Sequence, residues 1–149
     1  MLKGLLFILP FFLFISCSDE AIAPGKQDDT IKLSTKSIQF GAGADSAFVI
    51  TEGDSWKINN IEIDNLYLPK DSMIIDTIPE HWTAGMEVLL DTQYVIKGVE
   101  TDWINIEKRN DSQLFFYVQP NLTNKERTAL VGVSDRNYFD RIKVTQKSN

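Results

Sequence analysis

Residues 127–146 read RTALVGVSDRNYFDRIKVTQ. Ala129, Val131 and Val133 recur at every second position. So do Ile142, Val144 and Gln146, with Lys143, Thr145 and Lys147 turned the other way. Side chains alternate between the two faces of a strand, whereas an amphipathic helix groups apolar residues three and four apart. Between the two runs lies Ser134-Asp135-Arg136-Asn137, rich in turn-forming residues. The stretch therefore predicts two strands, each with one face for a core.

Working outward, the same period recurs. Leu114, Phe116 and Val118 share one face. Trp56 and Ile58 alternate with Ser55 and Lys57, and Phe48 and Ile50 alternate with Ala47, Val49 and Thr51. Turn chemistry separates the runs at Gly41-Ala42-Gly43, Glu52-Gly53-Asp54, Asn110-Asp111-Ser112 and Asn121-Leu122-Thr123-Asn124. No amphipathic helix is legible. Several short strands with turns between them predict an all-β chain, an antiparallel sandwich or barrel whose alternating apolar faces meet in one core. The middle segment, about 59–98, breaks the rhythm with short apolar pieces interrupted by Pro69, Pro79 and Gly85. It reads as one or two extra strands joined by a long loop around Ile78 to Gly85.

Both ends of the folded part resemble the BACON domain. Ile31-Lys32-Leu33-Ser34 with Ile38-Gln39-Phe40 is similar to that family's opening strand. Ser55-Trp56-Lys57-Ile58 and Asp102-Trp103-Ile104-Asn105-Ile106 are similar to its two tryptophan strands. Glu126-Arg127-Thr128-Ala129 and Ile142-Lys143-Val144-Thr145-Gln146 are similar to its last two. The resemblance covers about 31–58 and 99–147. It implies an immunoglobulin-like antiparallel β-sandwich at 31–149, with an insertion at about 59–98 between the two tryptophan strands. It also implies a non-catalytic module of a kind proposed to bind carbohydrate or mucin, with no established set of binding residues.

The N-terminus carries an address. Lys3 precedes the apolar run Leu5 to Ile15 (LLFILPFFLFI), followed by Ser16 and the chain's only cysteine, Cys17. A charged start, a short apolar core and small residues at a cleavage site make an export signal. The run is shorter than the about 20 residues that span a bilayer. Phe14-Ile15-Ser16-Cys17 resembles a bacterial lipobox, which implies a signal peptide at 1–16 and lipid attachment at Cys17. The two or three acyl chains that the resemblance implies would hold the protein firmly, since each buried methylene contributes about 0.8 kcal/mol. Ser18-Asp19-Glu20 resembles the acidic signal that sends lipoproteins to the outer face of the outer membrane. Residues 17–30, with their Pro24-Gly25 pair and several carboxylates, read as a flexible tether.

The charge balance narrows the partners. The whole chain carries a net charge of −6, and loss of Lys3 with the leader leaves 14 basic against 21 acidic side chains. Nucleic acid is not an expected partner. With Cys17 committed to lipid no internal disulfide can form, so the core alone must hold the fold.

Catalytic chemistry has few materials. The single histidine, His81, and the lone cysteine cannot assemble a zinc set or a Ser-His-Asp triad. There is no glycine-rich phosphate loop. The chain is read as a non-enzyme with no cofactor and no metal. Binding falls to aromatic side chains, whose flat rings pack against the C–H faces of sugars while polar neighbours bond the hydroxyls. Trp56 is read as core, and Trp103 as either facing the opposite side of the sheet or sitting in the turn before its strand. Trp82, between Pro79 and Gly85, is the candidate platform or else a plug over one end of the domain. Tyr67 and Tyr94 on the same insertion are the other candidates. Asp45-Ser46-Ala47, Asp71-Ser72-Met73 and Asp76-Thr77-Ile78 have the form that O-glycosylation uses in many gut anaerobes, making Ser46, Ser72 and Thr77 candidates for it. Two functions are expected to compete: a surface-anchored module binding glycan or mucin, and a structural lipoprotein docking with a larger outer-membrane assembly.

Overall fold

The computed structural model describes residues 28–84 and 87–149, with the side chains of 78–93 outside the description. The leader, Cys17 and most of the tether therefore lie outside the described residues. Ten strands follow in order: β1 (Ser37–Phe40), β2 (Asp45–Ile50), β3 (Lys57–Ile63), β4 (Leu66–Tyr67), β5 (Ile74–Ala84), β6 (Glu87–Glu100), β7 (Ile104–Asn110), β8 (Gln113–Val118), β9 (Arg127–Asp135) and β10 (Tyr138–Gln146). The single helical element among the described residues is one 3₁₀ turn, Lys70–Ser72. The protein is all-β.

The strands form one path, β1-β10-β9-β3-β6-β7-β8-β2, with β4 alongside β3 and β5 alongside β6. The 127–146 stretch makes the β9–β10 hairpin, with Val131 opposite Ile142 and Ala129 opposite Val144. Those residues go inward, as the period requires. Both ends of the path contribute to one core: Ile38, Ile58, Ile61, Val131 and Ile142 from one part, Val49, Ile104, Ile106, Leu114 and Phe116 from the other. Gln146 continues the inward face of β10 and is fully buried. Its amide donates to the Gln119 carbonyl at 2.7 Å and to the Gly43 carbonyl at 3.3 Å, so its polar head closes one end of the core against two loops.

Trp56 lies just before β3 and is 1% exposed, as expected of a core residue. Its indole Nε1 donates to the Asp111 carbonyl at 2.6 Å. The Lys108 ammonium sits 4.1 Å from the ring centroid and donates to the Trp56 carbonyl at 2.7 Å. Trp103 is buried in the turn before β7, which decides between its two readings. Ile31, the first residue expected in the fold, is fully buried. The Asp29 carboxylate accepts from the Ile31 and Lys32 amides at 3.1 and 2.8 Å, so order reaches back to that residue.

Three sequence expectations need correction. The stretch from Ile78 is strand rather than loop as far as Ala84, paired residue for residue with β6, and Trp82 lies opposite Leu89. Pro79 did not break it, because among the described residues β5 pairs with β6 alone, and an edge strand tolerates a missing N–H on its open side. The middle segment accordingly supplies three strands, β4, β5 and β6, beside the second half of β3. In β2 the inward residue is Val49, while Phe48 and Ile50 are exposed. Both faces of 47–50 are apolar, so the period alone could not orient them. Lastly, β1 pairs parallel with β10. The two strands come from opposite ends of the domain, so no hairpin forces them antiparallel.

Candidate functional site

The outward face of β10, β9, β3 and β4 follows directly from the register. One row runs Phe139–Ser134–Lys57, the next Arg141–Gly132–Asn60, and the third Lys143–Leu130–Glu62–Tyr67. Two local features shape it. A bulge between Ile58 and Asn60 adds a residue to β3, which brings Asn59 and Asn60 side by side at the surface. A two-residue turn at Asp64-Asn65, with φ of 49° and 68°, folds β4 back onto β3. Asp and Asn tolerate that left-handed backbone, and such turns match the twist of paired strands. The turn is fastened to β9: the Asp64 amide donates to the Thr128 carbonyl at 2.9 Å, and the Asp64 carboxylate accepts from the Thr128 amide at 2.8 Å.

The result is a groove of about 230 Å³ with a polar floor and aromatic sides. Tyr67 and Phe139 stand at its margins, 71% and 69% exposed. Asn60, Glu62 and Arg141 supply hydrogen-bonding groups, and Leu130 and Gly132 complete the floor. Gly132 is what lets Asn60 lie flat, because a β-carbon there would run into the Asn60 amide oxygen. Asn59 accepts from the buried Ser134 hydroxyl at 2.8 Å, which fixes its side chain. At the Phe139 end the Asp140 carboxylate is held by the Lys36 ammonium at 2.6 Å and by the Tyr138 hydroxyl at 3.2 Å. The hydrogen bond to Asp140 raises the Lys36 ammonium above its ordinary value, and burial together with that carboxylate raises the Tyr138 phenol.

A second, smaller depression of about 160 Å³ adjoins the first through Asn59. Lys57 and Lys70 line it together with Ile58, Ile75, Tyr94 and Ile96, of which Ile58 and Ile96 belong to the core. Tyr94 is 62% exposed and lies opposite Thr77 in the β5–β6 pair. Of the three aromatic residues singled out from sequence, the fold thus sets Tyr67 and Tyr94 on neighbouring depressions. The Trp82 side chain lies outside the described residues. Phe139, Asn60 and Arg141 were missed. Phe139 alternates with inward-facing residues in β10, which was the available signal; its meeting with Tyr67 required the register.

Ser46, Ser72 and Thr77 are all exposed. The Asp45 and Asp76 carboxylates accept from the following amides of Ser46 and Thr77 at 2.7 and 2.9 Å, and the Ser72 hydroxyl donates to the Pro69 carbonyl at 2.8 Å. Among the described residues no three His, Cys, Asp or Glu side chains gather as a metal set. On the far side of the domain Phe48 and Phe115 pack at 5.1 Å, with the Arg109 guanidinium 3.7 Å from the Phe115 ring.

Comparison with known proteins places the fold. A solution structure of a protein from Bacteroides thetaiotaomicron matches with a TM-score of 0.58 at 17% identity, covering 85% of this chain and 94% of that one. A Bacteroides ovatus GH5 xyloglucanase in complex with a XXXG heptasaccharide matches with a TM-score of 0.41 at 17% identity; the match spans 80% of this chain and 19% of that enzyme. No family model matches the chain. No curated protein matches it either.

Proposed function

We propose that the chain is an outer-membrane lipoprotein, anchored through Cys17 and facing the cell exterior. In this reading it carries a non-catalytic BACON-like module that binds glycan or mucin. The ten-stranded sheet is read as two facing layers of an immunoglobulin-like sandwich, which accounts for the single core fed from both ends of its path. One observation supports the binding reading above the others: Tyr67 and Phe139 stand exposed on either side of a groove floored by amide, guanidinium and carboxylate groups. Exposed rings flanking polar groups suit a sugar, whose ring faces stack while its hydroxyls bond. A glycan array screened with the protein should give a binder. Tyr67→Ala and Phe139→Ala should each weaken that binder by about tenfold, equivalent to about 1.4 kcal/mol. Neither should shift the melting temperature appreciably, because exposed rings contribute little to the core. Undiminished binding in both variants would remove the groove from the reading.

The alternative, docking with a larger outer-membrane assembly, is favoured by a different feature. Phe48 and Ile50 are exposed on β2, the last strand of the path, whose outer edge pairs with no strand among the described residues and meets Ser34 only at Ile50. Apolar side chains beside an open edge suit a protein partner. Loss of a co-purifying membrane protein in Phe48→Asp/Ile50→Asp, with glycan binding intact, would assign that role to this edge.

A further inference from the structure

Tyr67 and Phe139 lie at opposite ends of the groove. Tyr67 stands opposite Glu62, and Glu62 opposite Leu130 of β9; Phe139 stands opposite Ser134, four residues further along the same strand. Three strand spacings separate β4 from β10, since β3 and β9 lie between them. The two Cα atoms are therefore offset by about 14 Å across the strands and about 13 Å along them, or about 20 Å on the diagonal. One sugar ring is far shorter than that. Midway between the two rows runs Arg141–Gly132–Asn60, which sets a guanidinium and an amide between the aromatic ends. All of these residues share one face, because paired residues point the same way and so does every second residue of a strand. It is the face opposite the core row Ile142–Val131–Ile61. Neither end of the groove is walled. Tyr67 and Phe139 are 71% and 69% exposed, whereas a pocket for the end of a chain covers the terminal ring it holds.

We infer that this groove takes the interior of a linear glycan: one ring of the chain stacks on Tyr67, another further along stacks on Phe139, and the rings between them offer hydroxyls to Asn60, Glu62 and Arg141. This rests on the glycan reading above and adds the form of the ligand, a chain gripped along its length rather than a single sugar or a chain end. Each aromatic contact is weak alone, because both rings are open to water. Once a chain is seated on one of them, its own linkage holds a later ring near the other at high effective concentration, and the two contacts reinforce each other. A ligand too short to span them loses that gain.

The test uses the full chain in a detergent without a sugar head group, with calorimetry on cello-, chito- and galacturono-oligosaccharides, each as dimer, tetramer and hexamer. In at least one series the hexamer should bind at least about tenfold more tightly than the dimer. Tyr67→Ala and Phe139→Ala should each weaken the hexamer about tenfold and the dimer by no more than about twofold, because a dimer reaches one ring at a time and keeps the other. Opening the reducing end of the hexamer to an alditol, or methylating the terminal hydroxyl at its other end, should leave its affinity unchanged. A dimer that binds as tightly as the hexamer would overturn this inference and leave the glycan reading standing. So would loss of binding when either end is blocked. If none of these sugars binds, the glycan array decides by the same criterion: hits confined to one or two rings would overturn the inference, and hits only on longer chains would support it. An empty array would overturn both readings.

Discussion

Trp56→Ala tests the core most directly. The ring is 1% exposed, so truncation removes a fully buried side chain. Replacing a buried Phe or Trp by Ala costs about 3–5 kcal/mol through lost transfer energy and the cavity left behind. The indole hydrogen bond to the Asp111 carbonyl adds about 0.5–1.5 kcal/mol. Asp111 is itself exposed, so water can replace the donor and the lower end applies. Lys108, only 8% exposed at its side chain, loses the aromatic face beneath its ammonium, and water entering the cavity rehydrates it in part. The sum is about 3.5–5.5 kcal/mol, against the about 5–15 kcal/mol that holds a domain folded. Urea unfolding followed by circular dichroism measures this directly, since fluorescence would lose one of its reporters. Trp56→Phe retains most of the volume and loses only the hydrogen bond and part of the packing, for about 1–2.5 kcal/mol. A loss below about 2 kcal/mol for Trp56→Ala would refute the packing argument. Equal losses for both variants would refute the assignment of most of the energy to volume.

Three further outcomes follow from particular atoms. Gly98→Ala should destabilise the sheet or prevent folding, because its β-carbon would strike the Ile106 carbonyl oxygen of the adjacent strand; Gly132→Ala should meet only the movable Asn60 amide, leave the melting curve nearly unchanged and reduce glycan binding. Equal melting losses would refute that distinction. Burial holds the Lys108 ammonium below its ordinary 10.5. The unfolded chain therefore binds that proton more tightly, and its contribution to stability rises with pH from the depressed value up to 10.5. Wild type should gain on Lys108→Met across that alkaline window in chemical denaturation, and a constant difference between them would refute it. Cys17→Ser should release the protein from membranes or block its maturation, and unchanged membrane fractionation with retained lipid label would refute the anchor.

What the amino-acid sequence determined by itself is what depends on neighbours a few residues apart. The two-residue period at 127–146 determined two strands and which of their faces is buried, because Ala129, Val131, Val133, Ile142 and Val144 make one face continuously apolar while the other mixes Leu130 and Phe139 with Thr128, Ser134, Arg141 and Lys143. Trp56 beside Ile58 was legible as core for the same reason. Where both faces are apolar, as at 47–50, the period says strand but not which side goes in, and only the register with β8, which sets Val49 beside the buried Leu114 and Phe48 beside Phe115, decided it. Pro79 read as a break because the absence of a neighbour on one side of β5 is a property of the sheet and not of the peptide. The groove lay furthest from view. Tyr67 belongs to a two-residue strand turned back by Asp64-Asn65, and Phe139 to the last strand of the chain. They share a surface because β3 and β10 both pair with β9, so side chains distant in sequence are set a few strand spacings apart by backbone hydrogen bonds. Local chemistry specifies strands and faces, but a surface site is assembled by register, and register exists only once the strands have found one another.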